Sequence, residues 1–169
     1  MSEHADHGRR ANLLAAGLAF VRATAQIRGV LGVSLLGSIC SSRSDPKDID
    51  FLVAISADVD LEALALHSRR MKGRTQQLNR GADIFLVRDG KYVGRICHYR
   101  ECWPRRACQA HHCGQTPHLN DDLTTLTLPS GVVERPPVTI WPVICRRVQL
   151  PQDVEGFLAE FEAPANCVV

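Results

Sequence analysis

Asp48 and Asp50, one residue apart, follow the pair Gly37-Ser38 across a polar stretch of residues 39–47. On a strand, side chains two residues apart share a face, so Asp48 and Asp50 would project together with Ile49 and Phe51 on the other side. Two carboxylates at that spacing suit a hard divalent cation such as Mg2+, which prefers oxygen ligands and substrate phosphates. A site of this kind usually draws a third carboxylate from a neighbouring strand, and Asp83, ahead of the apolar run Ile84-Phe85-Leu86-Val87, is the candidate. Acids clamping two cations would neutralise phosphate charge and hold an attacking oxygen in line, which is what phosphoryl and nucleotidyl transfer need. Gly37 would let the backbone approach a phosphate, and the Ser38 hydroxyl would donate to it. Taken singly, each piece also has a plain reading: solvated acids in a turn, a common Gly-Ser turn, a loop acid before a strand.

A second group lies further on. Cys97, Cys102, Cys108 and Cys113 are accompanied by His98, His111, His112 and His118. Thiolate and imidazole are the usual zinc ligands and structural sites take four, so these cysteines are candidate zinc ligands. The short Cys-x2-Cys pairs of zinc knuckles are absent, and the competing reading is buried small cysteines with histidines on a wet surface. Arg95, Arg100, Arg105 and Arg106 accompany the cluster and either meet phosphates or solvate a loop.

The elements that must position these residues follow from pattern. Residues 1–8 read as a polar tail. Residues 9–28 carry Leu14, Leu18, Val21 and Ala25 at helical steps, with Gly29 as the stop. Residues 30–36 and 48–55 read as strands. Asp60 would cap a helix over residues 61–79 with Leu64, Ser68 and Met71 on one face. Residues 82–87 and 92–96 read as strands joined by the Asp89-Gly90 turn. Further strands are expected over 123–128 and, interrupted by Pro136 and Pro137, over 132–143. A terminal helix is expected over 153–161. The strand-helix-strand order lets the Asp83 strand lie beside the Asp48 strand.

With these residues in place, the chain resembles the nucleotidyltransferase superfamily of the DNA polymerase beta type, most closely its minimal bacterial members. The likeness covers residues 30–87: an apolar run into Gly-Ser, a spacer, then Asp-apolar-Asp-apolar. It implies an α/β (α+β) fold, a mixed β-sheet flanked by helices, with a Cys/His-rich insertion and a small C-terminal extension. It also implies two Mg2+ ions and transfer of NMP from an NTP such as ATP. By that likeness Gly37 and Ser38 hold the triphosphate, Asp48 and Asp50 bind the metals, and Asp83 is the third ligand and general base. Small members often carry an arginine and a glycine soon after Gly-Ser. Here Ile39 and Ser41 or Ser42 stand in those places, and by the likeness Arg43 would be the substitute nucleotide-binding cation.

Bulk properties set the outer bounds. At 169 residues the chain suits one domain, divided as a nucleotidyltransferase-like core over 9–96 and a Cys/His-rich and C-terminal segment over 97–169 packed on it. Twenty basic residues against 18 acidic give no strong argument for nucleic acid or an anionic membrane. Aromatics at 5% argue against a stacking platform for single strands. No run is apolar enough to span a bilayer, the N-terminus is unlike a signal peptide, and seven cysteines, an odd number, argue against a full disulfide set, so a cytoplasmic setting is expected. The expected activity is Mg2+-dependent transfer to a hydroxyl acceptor: a protein, an RNA or a small molecule. The alternative is a catalytically weak or inactive binding or regulatory module on the same fold, stabilised by zinc, acting with a partner protein or as a homo-oligomer.

Overall fold

In the central strand β2 (Asp48–Ile55), Ile49, Phe51, Val53 and Ile55 are buried, while Asp48, Leu52 and Ala54 on the other face are partly exposed. This alternation orients the sheet: one face takes the helices and the other carries the acids. The structure is a computed structural model and describes residues 3–97, 119–120 and 136–162.

Helix α1 (Glu3–Thr24) and strand β1 (Val30–Leu36) precede β2, and helix α2 (Leu61–Gln76) follows it. Then come β3 (Gly81–Arg88), β4 (Lys91–Ile96), the two-residue β5 (Leu119–Asn120), β6 (Val138–Trp141) and helix α3 (Gln152–Ala159). The sheet order is β5-β4-β3-β2-β1-β6. β2 and β3 are parallel, joined through α2, and the other pairs are antiparallel. The fold is therefore mixed α/β, a mixed sheet flanked by helices, and β6 and α3 from the C-terminal segment join the same sheet and core.

One apolar cluster unites Leu13, Phe20 and Val21 of α1, Leu64 and Met71 of α2, and Val154, Phe157 and Leu158 of α3 with the inner residues of the strands. Gly17 lets α1 approach the sheet closely: a Cβ there would stand 2.7 Å from Ile49 Cδ1 and 3.0 Å from the Phe51 ring. One turn on, the Phe20 and Phe51 rings meet with centroids 5.1 Å apart.

Several element ends differ from expectation. α1 starts at Glu3, because a polar run without apolar period does not itself break a helix. It stops at Thr24, where Gln26 N–H donates to Ala23 O and Ile27 N–H to Thr24 O in tightened i→i−3 turns. The Asp60 carboxylate does cap α2, accepting from Ala63 N at 3.0 Å. That helix ends at Gln76 rather than 79, since Asn79 turns to φ 54° and both Leu78 and Arg80 N–H groups fold back onto Thr75 O. In the C-terminal segment the strand begins only after Pro136-Pro137, at Val138. The strand expected over 123–128 lies outside the described residues. Among the described residues no helix is long and apolar enough to cross a membrane.

Candidate functional site

β1 delivers the Gly-Ser pair to β2. Leu36, its last residue, is the cross-strand partner of Asp50, and the next residues, Gly37–Cys40, form a 3-10 turn. Gly37 has φ +74°, and a Cβ on it would lie 3.1 Å from Asp50 Oδ2. The position thus asks for glycine twice, through its left-handed backbone and through the carboxylate packed against it. Ser41 ties the turn closed: its N–H and its hydroxyl both donate to Ser38 O, at 3.0 and 2.6 Å. The Ser38 hydroxyl lies beside Asp48 and helps to hold that carboxylate ionised. Its oxygen is buried and makes no hydrogen bond of standard geometry with the protein.

The parallel register sets Asp50 opposite Asp83, so these side chains share a face, and Asp48 shares it from two residues earlier. Asp83 N–H donates to Asp50 Oδ1 at 3.2 Å. Asp50 is only 6% exposed. Burial above all, then the charges of Asp48 and Asp83, push its pKa up to about 8, against the Asp83 N–H bond and Lys72. Asp48 is raised too, by burial and by Asp83, and is opposed by Arg43, Lys47 and Ser38. Three carboxylates therefore converge more closely than their own charges favour.

Two cations from elsewhere in the chain answer part of that charge. Arg95 Nη1 lies 3.2 Å from Asp83 Oδ2, and Lys72 Nζ lies 3.8 Å from Asp83 Oδ1. Burial lowers the Lys72 pKa, Asp83 raises it and Arg95 lowers it again. Sequence reasoning passed over Lys72, because one lysine on a charged stretch of α2 reads as solvent-facing. Arg95, read as a cation accompanying the Cys/His segment, stands on β4, where it pairs in register with Phe85.

On the other flank, Arg10 of α1 is 7% exposed. Its guanidinium donates to Ile39 O at 2.7 Å and to Arg43 O at 3.0 Å, and forms an ion pair with Asp153 at the start of α3. It thus pins both ends of the loop after the Gly-Ser turn. No sequence signal marked it: Arg10 is the second of two adjacent arginines, Arg9-Arg10, and such a pair normally faces water. Arg43 itself is exposed and near enough for its charge to act on Asp48.

The donor set fits a hard cation: clustered carboxylate oxygens, a buried hydroxyl beside Asp48, and a backbone cradle that a Cβ would fill. As it stands, Asp83 is turned to Lys72 and Arg95, and among the described residues no three His, Cys, Asp or Glu side chains form a ready metal cage. Of the candidate zinc ligands, Cys97 is buried at the end of β4, while Cys102, Cys108 and Cys113 lie outside the described residues. Compared with protein-family models, curated proteins and solved structures, the chain matches none.

Proposed function

We propose that this chain is an Mg2+-dependent nucleotidyltransferase that moves NMP from an NTP to a hydroxyl acceptor. What carries the reading is one arrangement: a Gly-Ser turn packed on Asp50, with Asp50 and Asp83 partnered across parallel strands and Asp48 on the same face. Asp48, Asp50 and Asp83 would hold the metal. Bound there, Mg2+ supplies neutralisation of the phosphate charge and a template for in-line attack.

The chain's own groups do the rest. Ser38 Oγ, buried beside Asp48, would donate to a phosphate oxygen. Gly37 leaves room for that approach, and Arg43 adds positive charge at the rim. Lys72 and Arg95 hold Asp83 in a fixed orientation to take the acceptor's hydroxyl proton. The acceptor oxygen then bonds to the α-phosphorus, the bond from that phosphorus to the bridging oxygen breaks, and pyrophosphate leaves.

The test is incubation with each labelled NTP, Mg2+ and cell extract, following pyrophosphate release and transfer of label. Asp48→Asn and Asp50→Asn should each abolish both while keeping the fold. Unchanged release in both variants refutes the assignment. The pairing of Asp83 with Lys72 and Arg95 favours a second reading, a nucleotide-binding module on the same fold with weak or no turnover. NTP binding that survives without pyrophosphate release selects it.

A further inference from the structure

We propose that the cavity between α1, the loop after the Gly-Ser turn and the start of α3 seats the nucleoside part of the NTP. The inference rests on the nucleotidyltransferase reading and adds to it the place of base and sugar. The cavity measures about 620 Å³, inside the range of roughly 300–1,000 Å³ typical of small-molecule sites.

Arg43 joins this cavity to the carboxylates. It lines the cavity wall and its charge acts on Asp48. A triphosphate running from the Ser38 hydroxyl past Arg43, along the loop that follows β1 at the end of the sheet, would lead its nucleoside from the acid-bearing face to the cavity beside α1. The wall is built in advance, because buried Arg10 fastens the Ile39 and Arg43 carbonyls to Asp153. Its surfaces suit a flat heterocycle with polar edges: Ala11 and the Pro151 ring are apolar, and Ser44 and Gln152 offer hydrogen bonds.

The sheet order argues for the nucleoside over the acceptor. β1, which feeds this loop, lies on one side of β2, and β3 with Asp83 lies on the other. An acceptor must reach Asp83 to lose its proton, so it approaches from the β3 side, away from the cavity. The triphosphate-gripping turn and the cavity share the β1 side.

Ala11 and Ser44 are exposed, so each can be enlarged without disturbing the core. Ala11→Trp on α1 and Ser44→Trp on the loop are compared with wild type by calorimetric titration in Mg2+ with the four NTPs and with inorganic tripolyphosphate. Thermal unfolding verifies the fold of each. The wild type should bind at least one NTP more tightly than tripolyphosphate. Either tryptophan should weaken that NTP at least tenfold and change tripolyphosphate less than twofold. Wild-type NTP affinity in both folded variants, or a wild type that prefers no NTP over tripolyphosphate, overturns the inference and leaves the phosphate site standing. A wild type that binds neither ligand overturns the nucleotidyltransferase reading and this inference with it.

Discussion

Replacing Asp50 by asparagine should make the metal-free protein more stable, and more so as pH rises. Asparagine keeps the shape and still accepts from Asp83 N–H through its oxygen, but removes one of three crowded charges. In the unfolded chain Asp50 loses its proton near 3.8, whereas in the folded protein it keeps it up to about 8. Between those values the folded state binds the extra proton, so stability falls as pH rises through that window and levels off above it. At roughly 1.4 kcal/mol per pKa unit the ceiling on this loss is about 6 kcal/mol. Relaxation of the carboxylates and entry of water reduce it, and the expected gain of Asp50→Asn above pH 8 is about 1–3 kcal/mol, shrinking toward zero near pH 4. Burial lowers the His67 pKa, which works in the opposite sense at mildly acidic pH, so the informative quantity is the difference between variant and wild type. The assay is urea unfolding in EDTA across this pH range, repeated with Mg2+. Mg2+ should stabilise the wild type and erase the variant's advantage. A variant no more stable than wild type in EDTA above pH 8 refutes the claim that burial and the neighbouring acids disfavour the Asp50 carboxylate.

Gly37→Ala should lose about 1–2 kcal/mol in urea unfolding from its left-handed backbone alone, and weaken Mg2+-dependent NTP binding, because the new methyl presses on Asp50 Oδ2. Gly17→Ala sets a helix-propensity gain of about 1 kcal/mol against overpacking of about 1–3 kcal/mol on Ile49 and Phe51. Both neighbours are fully buried, so overpacking should win, and a raised melting temperature would contradict that. Arg10→Met leaves the Ile39 and Arg43 carbonyls without their donor and Asp153 without its cation. Because Asp153 is partly exposed, the expected loss is about 2–3 kcal/mol by urea unfolding, and faster amide exchange over residues 39–43 should accompany it.

The sequence announced much of what depends on local periodicity. β1 and β2 start and stop where their apolar alternation does, the Asp60 cap opens α2, and Asp89-Gly90 turns the hairpin with both residues at positive φ. The partnership of Asp50 with Asp83 was also within reach, because a strand-helix-strand unit with acids at the head of each strand leaves few registers. What stayed hidden depends on long-range contact. Lys72, Arg95 and Arg10 belong to a helix or strand whose pattern says which face is buried, not what a long side chain reaches once the sheet is assembled. The N-terminal end of α1 stayed hidden for another reason: apolar period marks where a helix packs, while a polar helical run leaves no such mark.

Under the proposed nucleotidyltransferase reading, the division of charge across the site would give the three acids unequal parts. Asp83 already faces Lys72 and Arg95, at 3.8 and 3.2 Å. Asp50 faces mainly other carboxylates, and among the described residues Asp48 is answered by the Ser38 hydroxyl and by Arg43 and Lys47 at the rim, both exposed and screened. The strongest demand for an added cation therefore falls between Asp48 and Asp50, beside the Ser38 hydroxyl. A ligand for a tightly held ion gains from being free of competing ion pairs, whereas a base gains from being oriented by them. On that ground, and under the same proposed reading, Asp48 and Asp50 would form the principal cation seat, with Asp83 the weaker ligand, oriented toward the acceptor. The same asymmetry gives the turn its sequence: a side chain at position 37 would crowd the carboxylate with the greatest need of an ion, so the residue packed on Asp50 is the one with no side chain.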